Sequence, residues 1–191
     1  MLSNYKKKKI AQNLRYFFDN ATAEDIENGK NWYKNFNIWC TNVANEYKTN
    51  NLTVANVFSA LSPRNKLDKN MLDTITVFEA IKNNTSPDDV KVSTFHSNKY
   101  KAFDIANGLT TIQEDSLKTY AFMQNVAYLN EAYVTVDVWH MRACFDKMIV
   151  PKSLTKNIYD TIQDITIKEA KKHGLKGYEY QAIIWESIRN L

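Results

Sequence analysis

Apolar side chains recur at intervals of three and four residues along most of the chain, which is the spacing of one face of an α-helix. Short polar or proline-containing breaks separate these stretches, and a helix is expected to end at Ser62 because the residue before a proline is pushed out of helical space. The predicted helices are approximately residues 4–18, 30–48, 52–61, 68–82, 98–107, 111–115, 117–129, 139–148, 153–172 and 178–189. The pattern therefore predicts an all-α fold.

Two local features add detail to this prediction. Thr22 precedes Glu24 and Asp25, and a hydroxyl followed by acidic residues is typical of a helix N-terminus. The β-branched residues 134–136 predict a short extended segment. The helix predicted at residues 68–82 is expected to turn four side chains inward. These are Leu72, Ile75, Phe78 and Ile81.

The length of 191 residues predicts a single domain, residues 1–191, which could consist of two lobes. Only four glycines and three prolines are present, which argues against an all-β fold with its many tight turns. No apolar run reaches the length of a membrane span, and the lysine-rich start lacks the apolar stretch of a secretory signal. We therefore expect no membrane association and a cytoplasmic location.

The net charge of +4 is compatible with a nucleic-acid partner without requiring one. The most concentrated charge is the run of four lysines at residues 6–9. This run is either a solvated first helical turn or a patch that contacts phosphates, and the sequence leaves both interpretations open. Cys40 and Cys144 are too few for a disulfide framework or a cysteine-ligated metal or iron–sulfur site, so no cofactor is expected.

The most specific chemistry lies at Lys118-Thr119 and at Val136-Asp137, with the aspartate nineteen positions after the lysine. A neutral lysine amine can attack a sugar carbon, and a fixed carboxylate stabilises the positive charge that develops there. Each residue also has a structural interpretation, because Lys-Thr is common at helix starts and an aspartate ahead of a helix is a standard N-cap.

The order of motifs resembles the helix-hairpin-helix DNA glycosylases of the endonuclease III, adenine glycosylase and 8-oxoguanine glycosylase kind. The motifs are Ala60-Leu61-Ser62-Pro63-Arg64-Asn65, the helix with Lys99 and Lys101, Lys118-Thr119, Val136-Asp137, and Arg142 five residues later. The resemblance covers roughly residues 52–147. The chain is also similar to phage-encoded proteins of unassigned function with a Val-Thr-Val-Asp-Val-Trp-His segment, which often end in a Gln-Ala-Ile-Ile-Trp helix like residues 181–185.

The resemblance implies a two-lobed helix-hairpin-helix glycosylase-like fold in which Lys118 and Asp137 are catalytic and line one cleft. It implies that the partner is double-stranded DNA with a flipped base, with no metal. The implied DNA-binding residues are Arg64, Asn65, Lys99, Lys101, Thr119, His140 and Arg142. Two of these have ordinary alternatives, since His140 could be a partly buried polar residue and Arg142 a plain ion-pair partner.

The hairpin departs from the family, which has Gly-x-Gly before the lysine where this chain has Glu114-Asp115-Ser116-Leu117. The family glycines let backbone N–H groups approach a DNA phosphate closely. Three functions therefore remain open. The leading one is a DNA N-glycosylase, with abasic-site lyase activity through Lys118. The others are a phage enzyme that hypermodifies bases in its own DNA and a non-catalytic DNA-binding or interaction module, which the acidic hairpin favours.

Overall fold

The computed structural model describes residues 2–145 and 154–190, and within these residues it contains helices and no β-strand. The prediction of an all-α fold is confirmed. The α-helices are α1 (Asn4–Asp19), α2 (Ala23–Glu46), α3 (Asn51–Leu61), α4 (Leu67–Lys82), α5 (His96–Ala106), α6 (Leu117–Tyr128), α7 (Val138–Phe145), α8 (Lys156–Lys172) and α9 (Gly177–Asn190). A 3-10 helix occupies Pro87–Asp89.

Most predicted helices form within a few residues of their expected ends, but the short helix predicted at residues 111–115 is wrong. That stretch has no helical structure. The Ile112 N–H donates to the Asn56 side-chain oxygen at 3.1 Å, and the Thr111 hydroxyl donates to the same atom at 2.9 Å. A side chain of α3 therefore holds this stretch in its non-helical conformation. The predicted helix end at Met148 and helix start at Ser153 lie outside the described residues.

The start of α2 confirms the predicted cap. The Asp25 N–H donates to the Thr22 hydroxyl at 3.1 Å, and the Thr22 N–H donates to the Asp25 carboxylate at 2.8 Å. The helix therefore begins at Ala23, earlier than the expected residue 30, and runs through Gly29. A Cβ at Gly29 would lie 2.5 Å from the backbone nitrogen of Ile183 in α9, so glycine permits this close approach.

The chain forms two compact units. Unit 1 comprises Met1–Asn35 and Leu129–Leu191, and in it α1 packs against α7, α8 and α9, while α9 also packs against α7 and α8. Unit 2 comprises Phe36–Tyr128, and its central helix is α3, which packs against α4, α5 and α6. The end of α3 from Val54 to Leu61 is buried throughout, because neighbouring helices cover several of its faces.

The inward face of α4 differs from the expected one. Phe78 is buried as predicted, but Leu72 is 59% exposed. The polar side chains of Asn70, Asp73 and Thr74 are buried instead. The Asn70 amide donates to the Phe58 carbonyl at 2.9 Å, so hydrogen bonds to neighbouring backbone compensate for the burial of polar groups on this face.

In the part of the chain that the structure describes, no helix has the length and apolar character needed to cross a membrane.

Candidate functional site

Asp137 lies at the N-terminus of α7, where its side chain caps the helix. Its Oδ1 accepts a hydrogen bond from the His140 backbone N–H at 2.8 Å. The residue is half-buried, and this hydrogen bond holds its carboxylate in place. The N-cap interpretation is confirmed.

The non-helical segment 134–136, which leads into Asp137, is held by side chains of α8. The Tyr159 hydroxyl donates to the Val134 carbonyl at 2.8 Å and accepts from the Val136 N–H at 3.2 Å. The Gln163 side chain accepts from the Val134 N–H at 3.0 Å. Side chains of α8 therefore make the hydrogen bonds that a neighbouring β-strand would otherwise make to this segment. They fix the backbone directly ahead of the Asp137 carboxylate.

Two buried phenols lie within the electrostatic influence of Asp137. Burial raises the pKa of Tyr33 well above its usual range, and the Asp137 charge raises it further. Burial likewise raises the pKa of Tyr159, again with a contribution from Asp137. The Tyr33 hydroxyl donates to the Gln181 side chain at 2.8 Å. Both phenols therefore stay neutral.

His140 and Arg142 follow on α7 and differ in exposure. His140 is fully buried, and its Nε2 lies 2.9 Å from the Thr166 hydroxyl. Burial lowers the pKa of His140 to about 3. DNA cannot reach a side chain in this position, so the expected contact by His140 is not retained. Arg142 is half-exposed, with its guanidinium 4.6 Å from the centre of the Trp139 ring, and remains available to a ligand.

Lys118 is the second residue of α6 and is half-buried. Among the described residues it forms no ion pair. Its neighbour Thr119 donates its hydroxyl proton to the Ser116 carbonyl at 3.0 Å, a local bond in the first turn. Lys118 belongs to unit 2 and Asp137 to unit 1, and the expectation that both line one cleft stays a prediction.

The segment before Lys118 is longer than a tight hairpin, since α5 ends at Ala106 and α6 begins at Leu117. Within unit 2, α5 and α6 each pack extensively against α3. Glu114 and Asp115 are exposed in this segment, and the Glu114 carboxylate accepts from the Tyr120 hydroxyl at 3.2 Å. The acidic side chains therefore face solvent immediately ahead of α6.

The turn after α3 presents Arg64 to solvent. Arg64 has a left-handed backbone with a φ of 55°, which is uncommon for a residue other than glycine. Its guanidinium lies 5.3 Å from the centre of the half-exposed Phe95 ring. Asn65 instead donates to the Leu61 carbonyl at 3.2 Å and to the Asp73 carboxylate at 2.7 Å. Arg64 is therefore the outward-facing residue, and the Asn65 amide holds the turn.

Asp73 joins this turn to the segment ahead of α5. The same Asp73 oxygen that binds Asn65 also accepts from the Ser93 backbone N–H at 2.8 Å. Nearby, the Thr94 hydroxyl donates to the Pro63 carbonyl at 2.8 Å. Sequence reasoning missed Asp73 because the residue lies on a helix with apolar periodicity, where a single aspartate suggests only a solvated position.

The two lysines predicted on α5 have different environments. Lys99 is 3% exposed, and its ammonium donates to the Val90 carbonyl at 3.0 Å. A buried ammonium with this partner cannot contact a DNA phosphate, so Lys99 is a structural residue and the expected contact is not retained. Lys101 is half-exposed and forms no ion pair among the described residues.

Comparison with known proteins identifies the family of this chain. One family model matches residues 1–191. The chain belongs to DUF7178, a family of unknown function. No curated protein and no solved structure matches this DUF7178 chain. In the described part of the protein, no three histidine, cysteine or acidic side chains are grouped as a metal site would require.

Proposed function

We propose that this DUF7178 protein is a DNA base-processing enzyme, an N-glycosylase of the helix-hairpin-helix type that uses Asp137 as its essential carboxylate. The observation that carries the proposal is the way Asp137 is held: one oxygen caps α7, and Tyr159 and Gln163 fix the backbone ahead of it. The cap fixes the carboxylate of this half-buried residue, and a fixed carboxylate is what stabilisation of a developing cation requires.

Cleavage of an N-glycosidic bond develops positive charge on the sugar. A carboxylate that is already oriented stabilises this charge without the cost of reorganising water, and such preorganised charge is commonly the largest catalytic contribution. The target base is inside the duplex stack, so the enzyme must first extrude it. After the base has left, the Lys118 amine would act in the lyase step: it would attack C1′ of the abasic sugar in its open-chain aldehyde form, and loss of water would give a Schiff base.

The DNA contacts that we propose are the solvent-accessible cations among the expected residues. Arg64, Lys101 and Arg142 keep exposed or half-exposed charged groups. We add Phe95 to these contacts because its half-exposed ring lies next to the Arg64 guanidinium. The ring can stack on a base while the guanidinium provides positive charge. Asn65 would act by holding the Arg64 turn, since its amide hydrogens are bound within the protein.

A second candidate is a non-catalytic DNA-binding or interaction module. The observation that favours it is the pair of exposed carboxylates, Glu114 and Asp115, ahead of α6. Negative charge at this position would repel the phosphate that the family hairpin normally holds.

The test is base release and borohydride trapping on duplexes with uracil, hydroxymethyluracil, alkylated, oxidised and abasic sites. Asp137→Asn keeps a good N-cap residue, so it should leave stability nearly unchanged while lowering base release on the order of 100- to 1000-fold. Lys118→Gln should abolish trapping, whereas Lys69→Gln, an exposed lysine in the first turn of α4, should not.

Each result separates the candidates. Wild-type protein that binds duplex DNA but releases no base from any substrate supports the module and contradicts the enzyme. An Asp137→Asn variant as active as wild type would show that Asp137 is only a helix cap.

The shared cleft is tested by spin labels on a Lys118→Cys, Asp137→Cys variant, because both native cysteines are buried. A long distance between the labels contradicts the proposed active site.

A further inference from the structure

The first helix of the chain has two faces of opposite character. Ile10, Leu14 and Phe17 are buried in unit 1 and form its inner face. With 3.6 residues per turn, a second set of residues lies on the opposite side of the helix. This outer face consists of Tyr5, Lys8, Lys9, Gln12 and Tyr16, all of which are exposed. Tyr5 is 78% exposed and Tyr16 is 58% exposed, unusually high fractions for aromatic side chains.

The lysines of α1 lie at the end of the helix where the helix dipole disfavours positive charge. Four lysines occupy residues 6–9 near the N-terminus, and the first turn contains no acidic residue. The N-terminus is the positive end of the helix dipole and favours anions, so lysines there are unfavourable. Lys6 and Lys9 are three residues apart and also repel each other. Within the described residues none of the four forms an ion pair.

We propose that the outer face of α1 is a second nucleic-acid contact, which binds the phosphate backbone of DNA without reading its sequence. Phosphates would supply the ion-pair partners that these lysines lack among the described residues. Tyr5 and Tyr16 lie at the two ends of the lysine-containing face, where phenol rings can donate to phosphates or stack on unpaired bases.

A membrane surface is a poorer partner for this helix. Helices that lie in a membrane interface insert an apolar face rich in Trp, Phe and Leu below the headgroups. The apolar face of α1 is already buried against α7, α8 and α9, and the exposed face carries no such residue. The outer face therefore offers charge and phenol groups without any side chain suited to insertion.

This proposal rests on the proposed function for the identity of its partner, DNA, but its test is separate. A labelled short duplex is titrated at several salt concentrations with wild-type protein, a Lys8→Gln, Lys9→Gln variant and a Lys168→Gln, Lys171→Gln variant. The second variant is the matched control because it removes the same charge from two exposed lysines of α8 in unit 1.

Each phosphate contact contributes about −0.9 to the slope of log K against log salt, so loss of Lys8 and Lys9 should make this negative slope shallower by about 1.8. Affinity at about 0.1 M salt should fall on the order of tenfold or more, while the control should keep both values near wild type. Equal losses in the two variants would overturn the proposal, because total charge and not this face would then govern binding.

Two further outcomes separate this surface from the enzyme. Binding of wild-type protein to vesicles of phosphatidylserine and phosphatidylcholine, with no binding to the duplex, overturns the nucleic-acid contact. Base release that is unaffected by Lys8→Gln, Lys9→Gln at any salt concentration overturns it as well and leaves the proposed activity intact. Salt-dependent binding through α1 without release of any base supports the contact and contradicts the enzyme.

Discussion

His140 should make the stability of unit 1 depend on pH. The Thr166 hydroxyl donates its only proton to the Ile162 carbonyl at 2.9 Å, so it accepts the hydrogen bond from His140 Nε2 at 2.9 Å. The other ring nitrogen, Nδ1, is buried without a hydrogen-bond partner among the described residues. The ring is therefore neutral in the folded protein, because protonation would place an unpaired charge in the core.

The magnitude follows from the two protonation equilibria. Burial lowers the pKa of His140 to about 3 in the folded state, against about 6.5 for histidine in an unfolded chain. Between these values the unfolded state binds a proton that the folded state does not. The stabilisation that comes from keeping His140 neutral is therefore fully present above about pH 6.5. As the pH falls below this value, the free energy of unfolding decreases by about 1.4 kcal/mol per pH unit. Between about pH 6.5 and 4.5 the loss is roughly 2 to 3 kcal/mol.

The measurement is urea unfolding at several pH values in a Trp39→Phe background, with tryptophan fluorescence as the signal. Trp39 is the single tryptophan of unit 2, so its removal confines the signal to unit 1. His140→Gln does not titrate and keeps a donor for Thr166, so its free energy of unfolding should fall less steeply with acid than that of wild type. His96→Gln, at an exposed position, should keep the wild-type slope.

Identical slopes for wild type and His140→Gln would refute this reasoning. They would mean that acid unfolding is governed by carboxylates alone, or that the imidazole gains access to solvent. An NMR titration of the ring distinguishes these possibilities, because a buried neutral imidazole should show no protonation at about pH 5.

Three further predictions concern packing and buried hydrogen bonds. Tyr159→Phe leaves two backbone groups of segment 134–136 without partners and should lower the free energy of unfolding by about 2 kcal/mol, with faster amide exchange in that segment. Gly29→Ala places a Cβ 2.5 Å from the backbone nitrogen of Ile183 and should lower the melting temperature, because α2 and α9 must move apart. Asp73→Ala removes the acceptor of two hydrogen bonds and should cost about 2 kcal/mol in urea unfolding.

The sequence by itself was sufficient for most helices and for their local caps. The predicted helix at residues 4–18 forms as Asn4–Asp19, and the Thr22 cap forms with Asp25 three residues later. The place of Asp137 ahead of α7 also indicates an N-cap, as the structural alternative to a catalytic role, and the partner in this cap is again three residues away. These features depend on hydrogen bonds and side-chain spacing within one or two turns, so the local pattern contains the necessary information.

The exposure of the candidate site residues depended on the tertiary structure. A lysine on α5 and a histidine on α7 have the same local pattern whether they face solvent or the interior, yet Lys99 and His140 are both buried. The partner of His140 is Thr166, 26 residues away, and Tyr159 lies 23 residues from the Val136 backbone that it binds. Such partners meet only when α7 and α8 pack within unit 1, and the spacing of apolar residues along one helix does not specify which polar group of another helix it will meet.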